Sequence, residues 1–428
     1  MICLRRENQF SGTIQGDSSM KNKMLAASIG LAGVLLTQQA LAVPFSSFDP
    51  RSFAMGGAGV ASGTSANAVF FNPALLAAAT QDDDFSFELL AGARAADPDK
   101  MIDAVDDFDA NNSMQAFSDA IANYNTLPSA ATAAAVQTSA AQLTTDLANL
   151  SQKAVQLEAD GGLVVGVPSQ NFGISVYGNR WVVGGTYADV TQSDLNDITM
   201  QASYATFPVG GIPPTDNTAN YTSSVNARFA SITEAGVALA TTFGGIAVGI
   251  TPKHVKVATY DYTFVGDQID TATIDQSTGE KTDTNFNIDV GVAKDYANGW
   301  KTGLAVKNVL SQEYTTILGN KVTIDPMARI GVMHETSWST IALDVDLTEN
   351  DPGGFDTKSQ YAALGMEFDA FNTMQLRLGI RHNMSDTPYD PDVLSAGIGL
   401  SPFGINIDIS AAGNQDEVGA ALQLGFRF

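Results

Sequence analysis

Cysteine is almost absent from this 428-residue chain, and the single one, Cys3, lies near the start. The body of the protein therefore has no disulfide framework, thiol chemistry or cysteine metal site. Long apolar runs are missing as well. Beyond residue 42 there is no stretch of roughly 18 or more apolar residues, which excludes a helical membrane protein although 44% of residues are hydrophobic. Histidines are few, and His254, His334 and His382 have no partner at ligand spacing, so no metal site is expected. Asp344-x-Asp346 followed by Asn350 and Asp351 lacks the glycine and closing Glu of a calcium loop. No G-x-S-x-G elbow or assignable Ser/His/Asp grouping appears, so nothing supports catalysis, and no cofactor is expected. Basic residues are scarce: 22 Lys and Arg stand against 46 Asp and Glu, a net charge of −24. Such a chain repels nucleic acid and anionic membrane surfaces.

The one long apolar run is at the start. Lys21 and Lys23 precede Met24–Leu36, and Ala40-Leu41-Ala42 follows. A basic region, a short apolar core and A-x-A form a Sec signal peptide, cleaved between Ala42 and Val43. Residues 1–19 lie upstream of a natural start at Met20. Leader residues 1–42 carry four basic and two acidic side chains, so their removal takes the net charge from −24 to −26.

What the chain has in abundance is alternation. In the last eleven residues Val418, Ala420, Leu422, Leu424, Phe426 and Phe428 are apolar, and the residues between them are small or polar. Successive side chains of a strand point to opposite faces, so this stretch has one apolar and one wet face. It has the length of a tilted strand that crosses a bilayer. Asp289, Asp344, Asp346 and Asp408 alternate with Ile, Val and Leu in the same way, as do Arg377 and Arg381. The edge of a soluble sandwich also alternates. Connection length separates the two.

Candidate strands fall at 83–95, 161–168, 172–190, 226–242, 245–262, 283–296, 299–311 and 320–336, then at 338–350, 357–369, 372–385, 392–401, 403–412 and 416–428. Long gaps alternate with tight links such as 169–171, 243–244 and 297–298, which is the membrane-barrel arrangement. Trp300 and Trp338 stand beside short turns, where an aromatic girdle belongs. The expected fold is all-β: an antiparallel transmembrane β-barrel of about 14 strands. Inward Arg329, Arg377, Arg381 and Arg427, with Asp289, Asp344, Asp346 and Asp408, either form lumenal ion pairs or mark a substrate path.

Two segments depart from alternation. Residues 97–160 recur at three to four, with Met101, Val105, Phe108, Phe117 and Ile121, then Val136, Leu143, Leu147 and Leu150 on one face. This predicts a helical extracellular insertion, either a lid on the protein itself or an arm for a partner. Asp82–Asp84 and Asp97–Asp109 read as a solvated acidic rim. Residues 43–80 are rich in glycine and small residues. Gly57-x-Gly59 is followed by Gly63, without the spacing of a phosphate loop, so a plug-like segment at the barrel mouth fits better.

Arg51-Ser-x-Ala-Met-Gly-Gly-Ala-Gly-Val-Ala61, followed by Phe70-x-Asn-Pro-Ala-x-Leu-Ala77, resembles the N-terminal signature of FadL-like outer-membrane barrels. That superfamily includes fatty acid and aromatic hydrocarbon channels and PorV-like barrels, and the chain is most similar to its conjugal transfer TraF group. The thioredoxin-like conjugation protein of the same name would carry a C-x-x-C, which is absent here. The resemblance implies an integral outer-membrane barrel, 81–428, passing small hydrophobic compounds by diffusion. Its gate would be the plug, with Met55, Gly56, Gly57 and Gly59 and an anchor at Asn72, Pro73 and Ala74. The terminal Leu424, Phe426 and Phe428 resemble the signal read by the barrel-assembly machinery. Outer-membrane lipid, lipopolysaccharide and a hydrophobic ligand are the other expected partners. A non-transporting scaffold for secretion, surface attachment or conjugative transfer is the alternative.

Overall fold

Alternating strands with small and charged residues on one face can satisfy every backbone group in a membrane only by closing into a ring. The computed structural model describes residues 41–42, 47–77, 85–169, 172–207, 209–265, 279–296, 298–350, 358–370, 373–385 and 392–427. Leader residues 1–40 and Phe428 lie outside them. After a two-residue strand β1 (Leu41–Ala42), the barrel runs through β2 (Ser86–Ala96), β3 (Ala154–Val167), β4 (Gly173–Asp189) and β5 (Ser224–Phe243). It continues with β6 (Ile246–Val265), β7 (Glu280–Asp295) and β8 (Trp300–Lys307). A hairpin, β9 (Gln312–Thr315) and β10 (Lys321–Ile324), interrupts it. β11 (Met327–Glu335), β12 (Ser339–Asp346), β13 (Tyr361–Ala370) and β14 (Met374–Asn383) follow. β15 (Val393–Leu400), β16 (Ile405–Gly413) and β17 (Glu417–Arg427) complete the ring. Every barrel pairing is antiparallel; β8 joins β11, and β17 closes on β2 from Arg427↔Ser86 to Glu417↔Ala96.

In β17, Glu417, Gly419, Ala421 and Gln423 point inward, while Val418 and Leu422 point out and are 67% and 58% exposed. Leu378, Leu394, Ile398 and Ile409 continue that exposed apolar belt on neighbouring strands. A soluble protein does not leave so broad an apolar surface in water, so this is a membrane-spanning barrel. No helix among the described residues is long and apolar enough to cross a membrane. Trp300 and Trp338 are exposed beside the short turns, with Trp338 stacked 6.0 Å from Phe368.

Three boundaries differ from the sequence expectation. The second strand begins at Ala154, so the insertion ends near residue 153 rather than 160. Gln156, Glu158 and Asp160 face the lumen in alternation with Val155, Leu157 and Ala159, and this polar face reads as part of a helical region. The seventh strand stops at Lys307, and 320–336 is two strands, not one. Lys321–Ile324 alternates as a barrel strand would, but Pro326 lacks the N–H that a continuous ladder needs, and the chain turns there.

The hairpin β9–β10 folds into the lumen. Tyr314, Val322 and Ile324 pack against the inward Trp181, Ile232, Val255 and Val257. Its tip is tied to Asp261 on β6 by the Thr316 hydroxyl and by Asn320 Nδ2 at 2.9 Å. Residues 47–77 fill the lumen nearer the short turns. They contain α1 (Pro50–Ala54), α2 (Ala68–Phe71) and a 3₁₀ turn, Pro73–Ala77.

At the opposite, long-loop end stands a helical lobe: α3 (Met101–Asn111), α4 (Ser113–Thr126), α5 (Ala130–Leu150) and α6 (Gln192–Tyr204). Ser129 and Thr132 cap α5 reciprocally. Phe108, Phe117, Ile121, Val136, Leu143, Leu147 and Ile198 form one core with Ala188 and Tyr221. Val155 and Val225, on the outward faces of β3 and β5, pack against it. The apolar face of the insertion is thus covered by its own chain, beside the tall wall of the barrel.

Candidate functional site

The plug meets the wall where the wall has no side chains. Gly365 and Gly379, paired across β13 and β14, lie against Met55 and Gly56. Gly249 and Gly291, paired across β6 and β7, lie against Ala74, Pro73 and Asn72. Gly303 faces the Val60 carbonyl, and Gly397 faces Ala54. A Cβ at any of these would collide with plug atoms, so the glycines let the plug seat directly on strand backbone.

The first half of the plug, 49–62, combines small apolar contacts of Phe53, Met55, Ala58 and Ala61 with a dense set of polar ones. Asp49 caps α1, accepting from Ser52 N at 2.8 Å and from Asn67 Nδ2 at 2.9 Å. Burial pushes its carboxyl above the ordinary value, against the lowering pull of those bonds. Arg51 forms a bidentate pair with Glu367 at 2.9 and 2.8 Å and donates to the Ser62 carbonyl. Gly56 N donates to Ser395 Oγ at 3.0 Å, while Gly56 and Gly57 adopt φ of +72° and +98°, a turn only glycine takes easily. The Gly57 carbonyl accepts from Arg329 Nη1 at 3.1 Å. Gly59 N and Val60 N both donate to Asp344 Oδ2 at 2.8 Å.

The second half, 68–77, is apolar. Val69, Phe70, Phe71, Leu75 and Leu76 pack among Leu90, Val164, Tyr177, Ala238, Ala240 and Met327. Asn72 joins the halves. Its Nδ2 donates to Val60 O and to Val292 O, each at 3.0 Å, and its Oδ1 accepts from Ala74 N at 3.1 Å.

The lumenal residues expected from alternation separate into clusters. Arg329 pairs with Asp346 at 2.6 Å. Arg377 pairs with Asp408 and with Glu367, the latter at 2.6 Å. Arg381 reaches Glu417 at 2.7 Å, and Arg427 reaches Glu88 at 3.0 Å. Asp344 serves the plug amides, and Asp289 pairs with Lys253 at 2.9 Å rather than with an arginine. Sequence reasoning missed Arg51, Glu367, Glu417, Glu88 and the Lys253–Glu234 pair, also 2.9 Å. Glu367 was reachable, since it shares the inward parity of Ala363 and Gly365. Of the terminal residues, Leu424 faces outward, and Phe426 lies 6.2 Å from Phe87 between ring centroids.

Along β6 the lumen is layered: Gly249 meets the plug, Lys253 the ion pairs, and Val255 and Val257 the hairpin. Between Phe48, Phe53, Arg94, Arg329, Tyr361 and Arg381 a cavity of about 30 Å³ remains. That is room for about one water, not for a hydrocarbon. No group of His, Cys, Asp or Glu among the described residues could hold a metal ion.

The class that these elements define is a closed fourteen-strand transmembrane barrel with a glycine-seated N-terminal segment in its lumen. The family described as "F plasmid transfer operon, TraF, protein" matches residues 69–346, and the chain belongs to it. The toluene transporter TbuX of Ralstonia pickettii has a similar structure, with a TM-score of 0.51 and 11% identity over 90% of this chain and 99% of that one. A deletion mutant of the monoaromatic hydrocarbon channel TodX also gives 0.51, with 10% identity over 89% of this chain and 98% of that one. A FadL homologue of Pseudomonas aeruginosa gives 0.47, at 11% identity over 93% and 99%. No curated protein matches the sequence.

Proposed function

We propose that the protein is an integral outer-membrane channel for small hydrophobic compounds, closed at rest and opened by displacement of plug residues 49–62. One observation carries this: that half of the plug rests on backbone through discrete hydrogen bonds and ion pairs, each of which can break and re-form. The other half is anchored by an apolar core. Relatives of similar fold whose names are those of hydrocarbon transporters support the substrate class. In this reading both ends of the barrel, which the even strand count sets on one side, lie in the periplasm, and the helical lobe at the other end lies outside. The cavity beside Phe53 and Arg329 is too small for such a ligand, so in this reading residues 49–62 move to open a path.

A second reading, a closed barrel that serves as a scaffold, for plasmid transfer among other roles, is favoured by the filled lumen. The two separate in a binding assay on the detergent-solubilised barrel with fatty acids, alkanes and monoaromatic hydrocarbons. Saturable stabilisation by one class, altered in an Arg51→Ala variant, supports the channel and names its substrate. A folded barrel that binds none of them favours the scaffold.

A further inference from the structure

The outer wall carries a recess that the channel reading does not use. Val292, Leu304, Ile330 and Val345 are paired in one row across β7, β8, β11 and β12. Lys294, Thr302, Val332 and Leu343 form the next row, nearer the short turns. These residues line a groove of about 420 Å³ whose floor includes Gly303 and Gly331. The inward positions beneath it, Ala293, Gly303, Gly331 and Asp344, are continuously paired, so the groove is not an opening into the lumen. It faces the membrane core.

Its rim is charged at one end only. Lys294 Nζ stands 5.1 Å over the Tyr296 ring, and the Trp300 and His334 rings lie 4.8 Å apart beside it. Lys301, which bridges Asp295 at 3.6 Å and Glu335 at 3.2 Å, has the inward parity of Ala293, Gly303 and Gly331, so that cluster lies on the other face of the wall and leaves Lys294 as the charge beside the groove. The rim therefore presents a cation for a phosphate, flanked by aromatics at the depth of a membrane interface. A recess left empty would forfeit dispersion contacts along its walls, whereas one hydrocarbon tail restores them.

We infer that this groove is a binding site for one phospholipid of the leaflet at the short-turn end: an acyl tail lies along Leu304, Ile330 and Val332, and the phosphate sits on Lys294. The site is independent of the plug.

Native mass spectrometry of the detergent-solubilised full barrel, titrated with dioleoyl phosphatidylethanolamine, dioleoyl phosphatidylglycerol and dioleoylglycerol, tests it. Val332→Trp should fill the groove and weaken phosphatidylethanolamine binding at least tenfold. Leu378→Trp, the same bulk on the outward face of β14, should leave it unchanged. Lys294→Gln, which leaves the groove open, should weaken both phospholipids several-fold and leave dioleoylglycerol unchanged. Equal binding by the Val332→Trp and Leu378→Trp variants would overturn the site. Should Val332→Trp fail to fold, Lys294→Gln decides alone, and unchanged phospholipid binding by it overturns the proposal.

Discussion

The two halves of the plug are held by different balances of directed bonds and apolar burial. Residues 49–62 face β8 and β11 to β17 and carry directed bonds, Arg51 to Glu367, Gly56 to Ser395, and Gly59 and Val60 to Asp344, beside smaller apolar contacts of Phe53, Met55, Ala58 and Ala61. Residues 68–77 face β2 to β8 and Met327 of β11, and are fixed mainly by burial of Phe70, Phe71, Leu75 and Leu76. Directed bonds are all-or-none in geometry and can be exchanged for water. An apolar contact loses free energy smoothly with exposed area. A segment that must leave and return is better held the first way, and its hinge the second. Asn72, bonded to both Val60 and Val292, is where one regime passes into the other.

Breaking each half separately sharpens the comparison. The largest effect is expected for Phe71→Ala, which empties a side chain 1% exposed; such truncations cost about 3–5 kcal/mol. Amide hydrogen exchange should then rise across the whole of 47–77, because the anchor has gone. Arg51→Ala should cost less than the about 3–5 kcal/mol of a fully orphaned buried charge, since Glu367 keeps Arg377. Exchange should rise in 50–62 and stay protected in 68–77; equal loosening of both would contradict the division.

Gly379→Ala comes next. Its Cβ would meet the backbone of Met55 and Gly56, an overpacking worth about 1–3 kcal/mol. Gly178→Ala, on the outward face with nothing nearer than 3.8 Å, should not change the melting temperature.

The smallest effect is that of Asp49→Asn. Burial raises the Asp49 carboxyl above its ordinary 3.8, so its stabilising contribution is complete below pH 3.8 and is lost as pH rises through the raised value. Lowering the pH from neutral should therefore strengthen protection of 50–62 in the wild type relative to the variant. Exchange measured at two pH values checks this.

Much of the barrel was legible because period-two alternation is imposed at every position by a wall with lipid on one side. All fourteen barrel strands fall within the expected ranges or beside them. The inward parity of Arg329, Asp344, Arg377 and Asp408 followed from the same rule. Which partner each takes did not, since pairing depends on register between strands far apart in sequence. Glu234 and Lys253 meet because β5 and β6 are in register, and Asp289 joins them from β7. The inward hairpin was hidden because Lys321–Ile324 alternates whether it lines a barrel or fills one. The glycine seat was hidden too: each glycine reads as a weak strand position until the strands are aligned.

The closing pair of strands has a consequence for how the protein is made. β17 can reach β2 only after the whole chain has been delivered, and so non-local a closure is entropically costly and slow. The plug precedes every strand of its own seat, and Glu367, Ser395 and Asp408 belong to strands near the end of the chain. During biogenesis the bonds of residues 49–62 must wait for walls not yet in place. The first part of the body of the chain to appear is thus among the last that can reach its place.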